Sequence, residues 1–152
     1  MMIRKAKIKD SKQIQDLVNA YAKEDKMLSR SLNDIYEHIR DFFVYEDEEG
    51  NIQGCCAMHI VWDNLAEIKA LAVSAEFSSH GIARDMVQQC MSEAKALGIK
   101  KTFALTYVNG FFKKMGFKEI KRDNLPHKVW RECIYCPKFP GCDEIAVEKD
   151  LG

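Results

Sequence analysis

A chain of 152 residues, 47% hydrophobic and 30% charged, has the size and composition of one globular domain with a proper core. Its 23 basic and 23 acidic residues cancel to a formal net charge of zero, which removes any electrostatic reason to expect nucleic acid or an anionic membrane as a partner. No apolar run approaches the roughly 18 residues that span a bilayer. The start, Met1-Met2-Ile3-Arg4-Lys5-Ala6-Lys7, lacks the apolar block of a signal peptide, so a cytoplasmic protein is expected. Six cysteines in such a chain read as thiols or metal ligands before they read as a disulfide framework.

In chain order, residues 2–8 alternate Ile3, Lys5 and Lys7 against Arg4, Ala6 and Ile8, a weak first strand. Asp10 opens a helix. Gln13, three residues on, completes a capping-box pattern, and Ile14, Leu17, Val18 and Tyr21 share one helical face. A loop through Met27-Leu28-Ser29-Arg30 leads to Ser31, the N-cap of a second helix with Ile35, Ile39 and Phe42 on one side. Phe43-Val44-Tyr45 and Ile52 to Trp62 read as strands joined by the turn Asp47-Glu48-Glu49-Gly50-Asn51. Leu65 to Val73 is the next strand, and simple alternation places Glu67, Lys69, Leu71 and Val73 on one face. A helix from about His80 to Leu97 buries Ile82, Met86, Val87, Cys90, Met91, Ala94 and Leu97, with Gly98 as its terminator. Lys101 to Tyr107 is a strand, Phe111 to Met115 a short helix, and Gly116-Phe117 opens a further strand. An irregular cysteine-bearing tail, about 130–152, follows. Strands in hairpin order and then a strand–helix–strand unit predict an α+β domain over 1–152, a mixed sheet flanked by helices.

Three segments carry chemistry. Ser78-Ser79-His80-Gly81-Ile82-Ala83 joins a strand to the long helix. Unpaired N–H groups and the positive end of the helix dipole there suit a pyrophosphate, and Gly81 lets the backbone approach it. An ordinary strand-to-helix turn explains this segment equally well when it is taken alone. Glu67 is a carboxylate on a strand that otherwise reads as interior, where an unpaired charge is costly; a Glu67–Lys69 surface pair is the bland explanation. In the tail, Cys133, Cys136 and Cys142 combine Cys-x2-Cys with Cys-x5-Cys. That is a zinc half-site without a matched second pair. Packing of Ile134, Tyr135 and Phe139 ranks first as the source of order, an ion second and a disulfide third, so no metal is expected.

The order strand, glycine loop, helix resembles the acyl-CoA site of the GNAT N-acetyltransferases. Their loop has Gln or Arg, two residues, Gly, one residue, then Gly or Ala. Gly81 and Ala83 match that pattern and Ser78 departs from it. Gly116-Phe117 stands where these proteins open a strand with Gly-Phe, and the resemblance covers roughly residues 2 to 120. A narrower resemblance is carried by Leu28-Ser29-Arg30-Ser31, Ile35 to Phe42, Ala66 to Val73, Phe103 to Tyr107 and Leu125 to Trp130. These look like the short single-domain amino-acid N-acetyltransferases that make N-acetylglutamate for arginine biosynthesis.

The resemblance implies a mostly antiparallel sheet of six to seven strands whose central parallel pair splays apart around the coenzyme. It implies acetyl-CoA as co-substrate, bound by the backbone of Leu71, Ala72 and Val73 and by Ser78, Ser79, His80, Gly81, Ile82 and Ala83, with Asn109 and Phe112 completing the contact. Glu67 is then the general base, with His127 as runner-up. Many GNAT enzymes have a tyrosine acid where Phe112 stands, so Tyr107, water or an unprotonated thiolate must serve instead. Arg30, Lys69 and Lys138 are the cationic clamps for the carboxylates of glutamate. The partners expected are small molecules, with a homodimer left open. The competing expectations are another small amine or amino acid as acceptor, or a noncatalytic acyl-CoA-binding regulator.

Overall fold

The computed structural model describes residues 2–23, 30–78, 80–107, 109–121 and 145–152. The strands are β1 (Met2–Lys5), β2 (Phe42–Glu46), β3 (Ile52–Trp62), β4 (Leu65–Val73), β5 (Lys101–Thr106), β6 (Lys118–Ile120) and β7 (Ile145–Asp150). The helices are α1 (Ser11–Lys23), α2 (Leu32–Glu37), α3 (Ile82–Ala96) and α4 (Asn109–Lys114). The strands form one seven-stranded sheet in the order β1-β2-β3-β4-β5-β7-β6, antiparallel throughout except for the parallel β4–β5 pair. Two helical layers cover it. Ile14 and Val18 of α1 and Ile35 of α2 pack on Val44, Cys55, Ala57 and Ala72 of one face. Met86, Val87 and Cys90 of α3 and Phe112 of α4 pack on Cys56, Met58, Ile68 and Val73 of the other.

Local chemistry sets the boundaries. Asp10 is buried, and its carboxylate accepts from Arg4 Nη1 at 2.8 Å, Arg4 Nη2 at 3.1 Å and the Lys7 N–H at 2.8 Å. The expected Asp10–Gln13 box is absent in that sense: Gln13 Oε1 accepts the Ile52 N–H at 3.0 Å instead and ties α1 to β3. Ser31 caps α2 as expected, its Oγ accepting the Asp34 N–H at 3.0 Å. That helix stops at Glu37; Ile39 lies in a 3-10 turn, Ile39–Asp41, and Phe42 already belongs to β2. Asp47 closes the β2–β3 hairpin by accepting the N–H groups of Glu49 and Asn51, both at 2.9 Å. Helix α3 begins at Ile82 rather than His80, and ends with Gly98 at φ 90° and the Ile99 N–H on the Ala94 carbonyl at 2.9 Å. Leu97 lies just beyond the helix and is 59% exposed, against the expectation that it is buried.

Two departures matter more. The tail was expected to be irregular, yet Ile145–Asp150 is an interior strand, paired with β5 on one side and β6 on the other. Only Ile145-Ala146-Val147 announces it, and three apolar residues do not distinguish a strand from a packed loop. The second departure is in β4. The β3–β4 register shifts between Cys55/Ala72 and Ala57/Lys69, and Ala70 sits there at φ 53°. This is a β-bulge, in which one extra residue reverses the alternation of side chains. Ala66, Ile68, Leu71 and Val73 therefore share the α3 face, while Ala70 and Ala72 turn toward α1. Glu67 and Lys69 lie opposite His59 and Ala57 on the α1 and α2 face, so Glu67 and Lys69 do not share a face with Leu71 and Val73.

The parallel pair splays. β4 and β5 pair only at Leu65↔Lys101, Ala66↔Thr102 and Glu67↔Phe103, although β4 runs on to Val73 and β5 to Thr106. The sheet thus opens into a cleft whose apex is Glu67.

Candidate active site

On the α1 and α2 side of the apex, charged residues form a connected wall. Half-buried Glu67 stands across from His59 in the β3–β4 register, with half-buried Lys69 two residues further on. His59 Nδ1 lies 2.7 Å from Asp41 Oδ2. The His38 ring meets the His59 ring edge-on at 5.5 Å between centroids. His38 Nδ1 is 2.9 Å from the Asp34 carbonyl, and Asp34 Oδ2 accepts from Arg30 Nη1 at 2.8 Å. The wall therefore runs Arg30, Asp34, His38, His59, Asp41, with Glu67 and Lys69 beside it. The Asp41 hydrogen bond raises the His59 pKa above its ordinary value; burial opposes this, the charges of Asp41 and Glu67 add to it and Lys69 subtracts. Arg30 is held from α1: its N–H donates to Asn19 Oδ1 at 3.0 Å, and its carbonyl accepts from Gln15 Nε2 at 3.3 Å. Its side chain is 15% exposed.

The far end of β4, beyond the bulge, works through backbone. Val73 faces Gly54, and the Ser74 N–H bonds the Gln53 carbonyl at 2.8 Å. In an antiparallel pair this pattern turns the N–H and C=O of Val73 away from β3, toward the open side. Both groups meet the Tyr21 hydroxyl, which donates to the Val73 carbonyl at 2.8 Å and accepts from its N–H at 3.2 Å. A cavity of about 410 Å³ adjoins them, lined by Asp16, Leu17, Tyr21, Val73 and Ser74 among others. Ser74 Oγ is buried with no hydrogen-bond partner among the described residues, so the end of β4 has a polar atom to offer a ligand.

Beyond Ser74 the chain turns through Ala75–Phe77 to Gly81, which N-caps α3 at φ 74°. A Cβ there would meet only the Arg84 side chain, so the left-handed backbone rather than crowding demands glycine. The first intrahelical bond runs from the Asp85 N–H to the Gly81 carbonyl at 3.1 Å. The N–H groups of Ile82, Ala83 and Arg84 precede it, and Gly81 has no side chain to cap them. Ser78 Oγ donates to the Ala75 carbonyl at 3.0 Å, which commits it to shaping the turn. His80 is exposed, its ring 5.8 Å from that of Phe77. Ser79 lies outside the described residues.

Tyr107 follows the last residue of β5 and is half-buried at the other lip. Phe112 is buried, edge-on to both Phe111 and Phe117 at 5.1 Å, which makes it a core residue. Asn109 opens α4. Burial pushes the Cys55 thiol up to about 12. The Cys56 thiol is raised by its contact with Cys90, 3.7 Å between sulfurs, and by burial. Neither is a thiolate at neutral pH. Among the described residues no group of three His, Cys, Asp or Glu could hold a metal ion, and no helix is long and apolar enough to cross a membrane. His127, Cys133, Cys136, Lys138 and Cys142 lie outside the described residues. Sequence reasoning missed Tyr21, Asp41 and His59. No motif marks them; the bulge and the strand register bring them to the cleft.

A profile of the acetyltransferase (GNAT) domain matches residues 38–119. An uncharacterised N-acetyltransferase of Chlorobaculum tepidum is 45% identical over 149 residues, 98% of this chain and 96% of the relative. The chain belongs to the GNAT acetyltransferase family. An amino-acid acetyltransferase of Mycobacterium tuberculosis is 33% identical over 133 residues, 86% of this chain and 76% of that protein. Among solved structures, Rv2747 from Mycobacterium tuberculosis in complex with CoA and NLQ superposes with a TM-score of 0.86 at 26% identity, each chain covered in full. N-acetylglutamate synthase from Neisseria gonorrhoeae, complexed with coenzyme A and N-acetyl-glutamate, gives 0.90 at 25% identity over 99% of this chain and 35% of that one. The splayed sheet is the GNAT fold, and acetyl-CoA is the co-substrate of this acetyltransferase, which is related to the amino-acid acetyltransferases.

Proposed function

We propose that this GNAT acetyltransferase acetylates the α-amine of L-glutamate, a step of arginine biosynthesis in the cytoplasm. The observation that carries the reading is Glu67, a half-buried carboxylate at the apex of the cleft on the face that also holds Lys69 and the Arg30 wall. A dicarboxylate acceptor needs cations for its carboxylates and one base for its ammonium, and this face offers both. Arg30 holds one carboxylate, with Lys69 and Lys138 as the candidates for the other. Glu67 removes a proton from the ammonium, and the amine attacks the thioester directly. Loop 78–83 holds the pyrophosphate, the backbone of Leu71, Ala72 and Val73 meets the pantetheine, and an N–H of that strand polarises the thioester carbonyl. Asn109 and Phe112 border the coenzyme. The departing thiolate takes its proton from Tyr107 or water.

A coenzyme-release assay with acetyl-CoA across the free amino acids tests this. Glutamate is expected to give the highest kcat/KM. Preference for another amine overturns the acceptor and leaves the family standing; tight acetyl-CoA binding without turnover on any amine overturns catalysis itself.

A further inference from the structure

Transfer of an acetyl group from a thioester to an ammonium gives up one proton net: nitrogen loses two, and the departing thiolate keeps one. Glu67 is half-buried, so a proton left on it must have an exit before the next turnover. His59 stands directly across from Glu67 in the β3–β4 register, a position where Cβ atoms lie about 4.5–5.5 Å apart. Its Nδ1 is bonded to Asp41 Oδ2 at 2.7 Å. That bond fixes the tautomer with the proton on Nδ1 and leaves the Nε2 lone pair to accept. The side chain is 37% exposed, so it borders both the cleft apex and water.

We propose that His59, oriented by Asp41, relays the proton taken by Glu67 to solvent. The inference rests on the reading of Glu67 as base. The ammonium N–H passes its proton to the Glu67 carboxylate, Glu67 O–H passes it to His59 Nε2, and the imidazolium releases it to water or buffer, which restores both groups. The groups that face His59 fit a relay. Asp41, from the turn after α2, and Glu67 favour the imidazolium; Lys69, on β4, and burial restrain it; His38, at the end of α2, lies against its ring. His59 is thus a positioning residue that acts through Glu67.

The test is turnover of His59→Ala in dilute buffer, with and without added imidazole, beside Glu67→Gln. The expected result is a loss of roughly 10–100-fold in kcat, unchanged acetyl-CoA affinity, and saturable recovery with imidazole in His59→Ala alone. His59→Gln keeps a polar partner for Asp41 and the volume of the wall, and is expected to lose turnover increasingly as buffer is diluted. Undiminished turnover in both His59 variants overturns the relay. A loss that neither imidazole nor buffer alters also overturns it, assigning His59 to structure. Normal turnover in Glu67→Gln overturns the base reading; a rescued His59→Ala alongside it makes His59 the base and not a relay.

Discussion

The two ends of β4 offer a ligand different chemistry. Beyond the bulge at Ala70 the groups are main-chain: the Val73 amide and carbonyl, both bonded to the Tyr21 hydroxyl of α1, and the leading N–H groups of α3 after Gly81. Toward α1 and α2, before the bulge, they are side chains: Glu67, Lys69, His59 and Asp41, with Arg30 behind them. A backbone site tolerates sequence drift so long as the backbone angles survive. That is why Ser78 can depart from the family loop pattern while shaping the same turn with its hydroxyl. A side-chain site has no such tolerance, because each group supplies a charge or a proton that its neighbours depend on. The bulge separates the two chemistries within nine residues of one strand.

The sharpest test of the side-chain half is Glu67→Gln, which keeps shape and removes basicity. Turnover is expected to fall by roughly 10²–10⁴-fold, with acetyl-CoA affinity intact. Single-turnover acetylation at neutral pH reads it; near-normal turnover would reassign Glu67 to structure. The matching test of the backbone half is Gly81→Val. Holding a left-handed φ of 74° costs a β-branched residue at least about 1–2 kcal/mol, and where the loop shifts to escape that strain the displaced amides forfeit charge-assisted bonds to phosphate of about 1.5–3 kcal/mol each. Coenzyme affinity by calorimetry is expected to drop more than about 100-fold in a protein that still melts cooperatively, while Ser78→Ala changes it little. An unchanged affinity for Gly81→Val breaks the comparison on this side.

The local elements of the backbone half were legible in the sequence, and the arrangement of the side-chain half only in part. A strand ending at Val73, a glycine and an amphipathic helix are local signals, so the loop could be read without the fold. Arg30 and Glu67 were visible as charged residues of the loop before α2 and of β4. His59 and Asp41 were not: they lie 18 residues apart, and only the hairpin register and the turn at Ile39–Asp41 bring them to 2.7 Å. The bulge was invisible for a related reason. Ala70 carries no mark of a positive φ, and strict alternation is the natural reading of Leu65–Val73. β7 was missed because its pairing partners lie 26 to 49 residues back in sequence, and its apolar stretch is short.

A smaller effect separates the halves by substrate. Arg30→Ala is expected to weaken glutamate by a few kcal/mol at most, the scale of stranding a charge-assisted partner at about 1.5–3 kcal/mol, seen as a raised KM. Acetyl-CoA affinity should hardly change, because Arg30 hangs from α1 through Asn19 and Gln15 and not from the coenzyme loop. Comparable losses for both ligands would show that the two halves are not independent, since Asp34 would then have lost a partner that α2 needs for its fold.

The smallest expected effect probes the wall without touching either ligand. The Asp41 hydrogen bond leads the causes that raise the His59 pKa in the folded protein above its unfolded value near 6.5. A raised histidine stabilises the fold fully below its unfolded pKa, and that contribution disappears as pH climbs through the folded value. Asp41→Asn removes the charge and much of the shift. Wild type should therefore exceed Asp41→Asn in urea stability at about pH 5–6.5, where His59 is charged. The gap should shrink toward pH 8. With His59 37% exposed, solvent screening holds the difference to below about 1 kcal/mol. A gap that widens with rising pH would mean that His59 is held neutral in the fold, and the charged wall would then end at His38 rather than at the apex of the cleft.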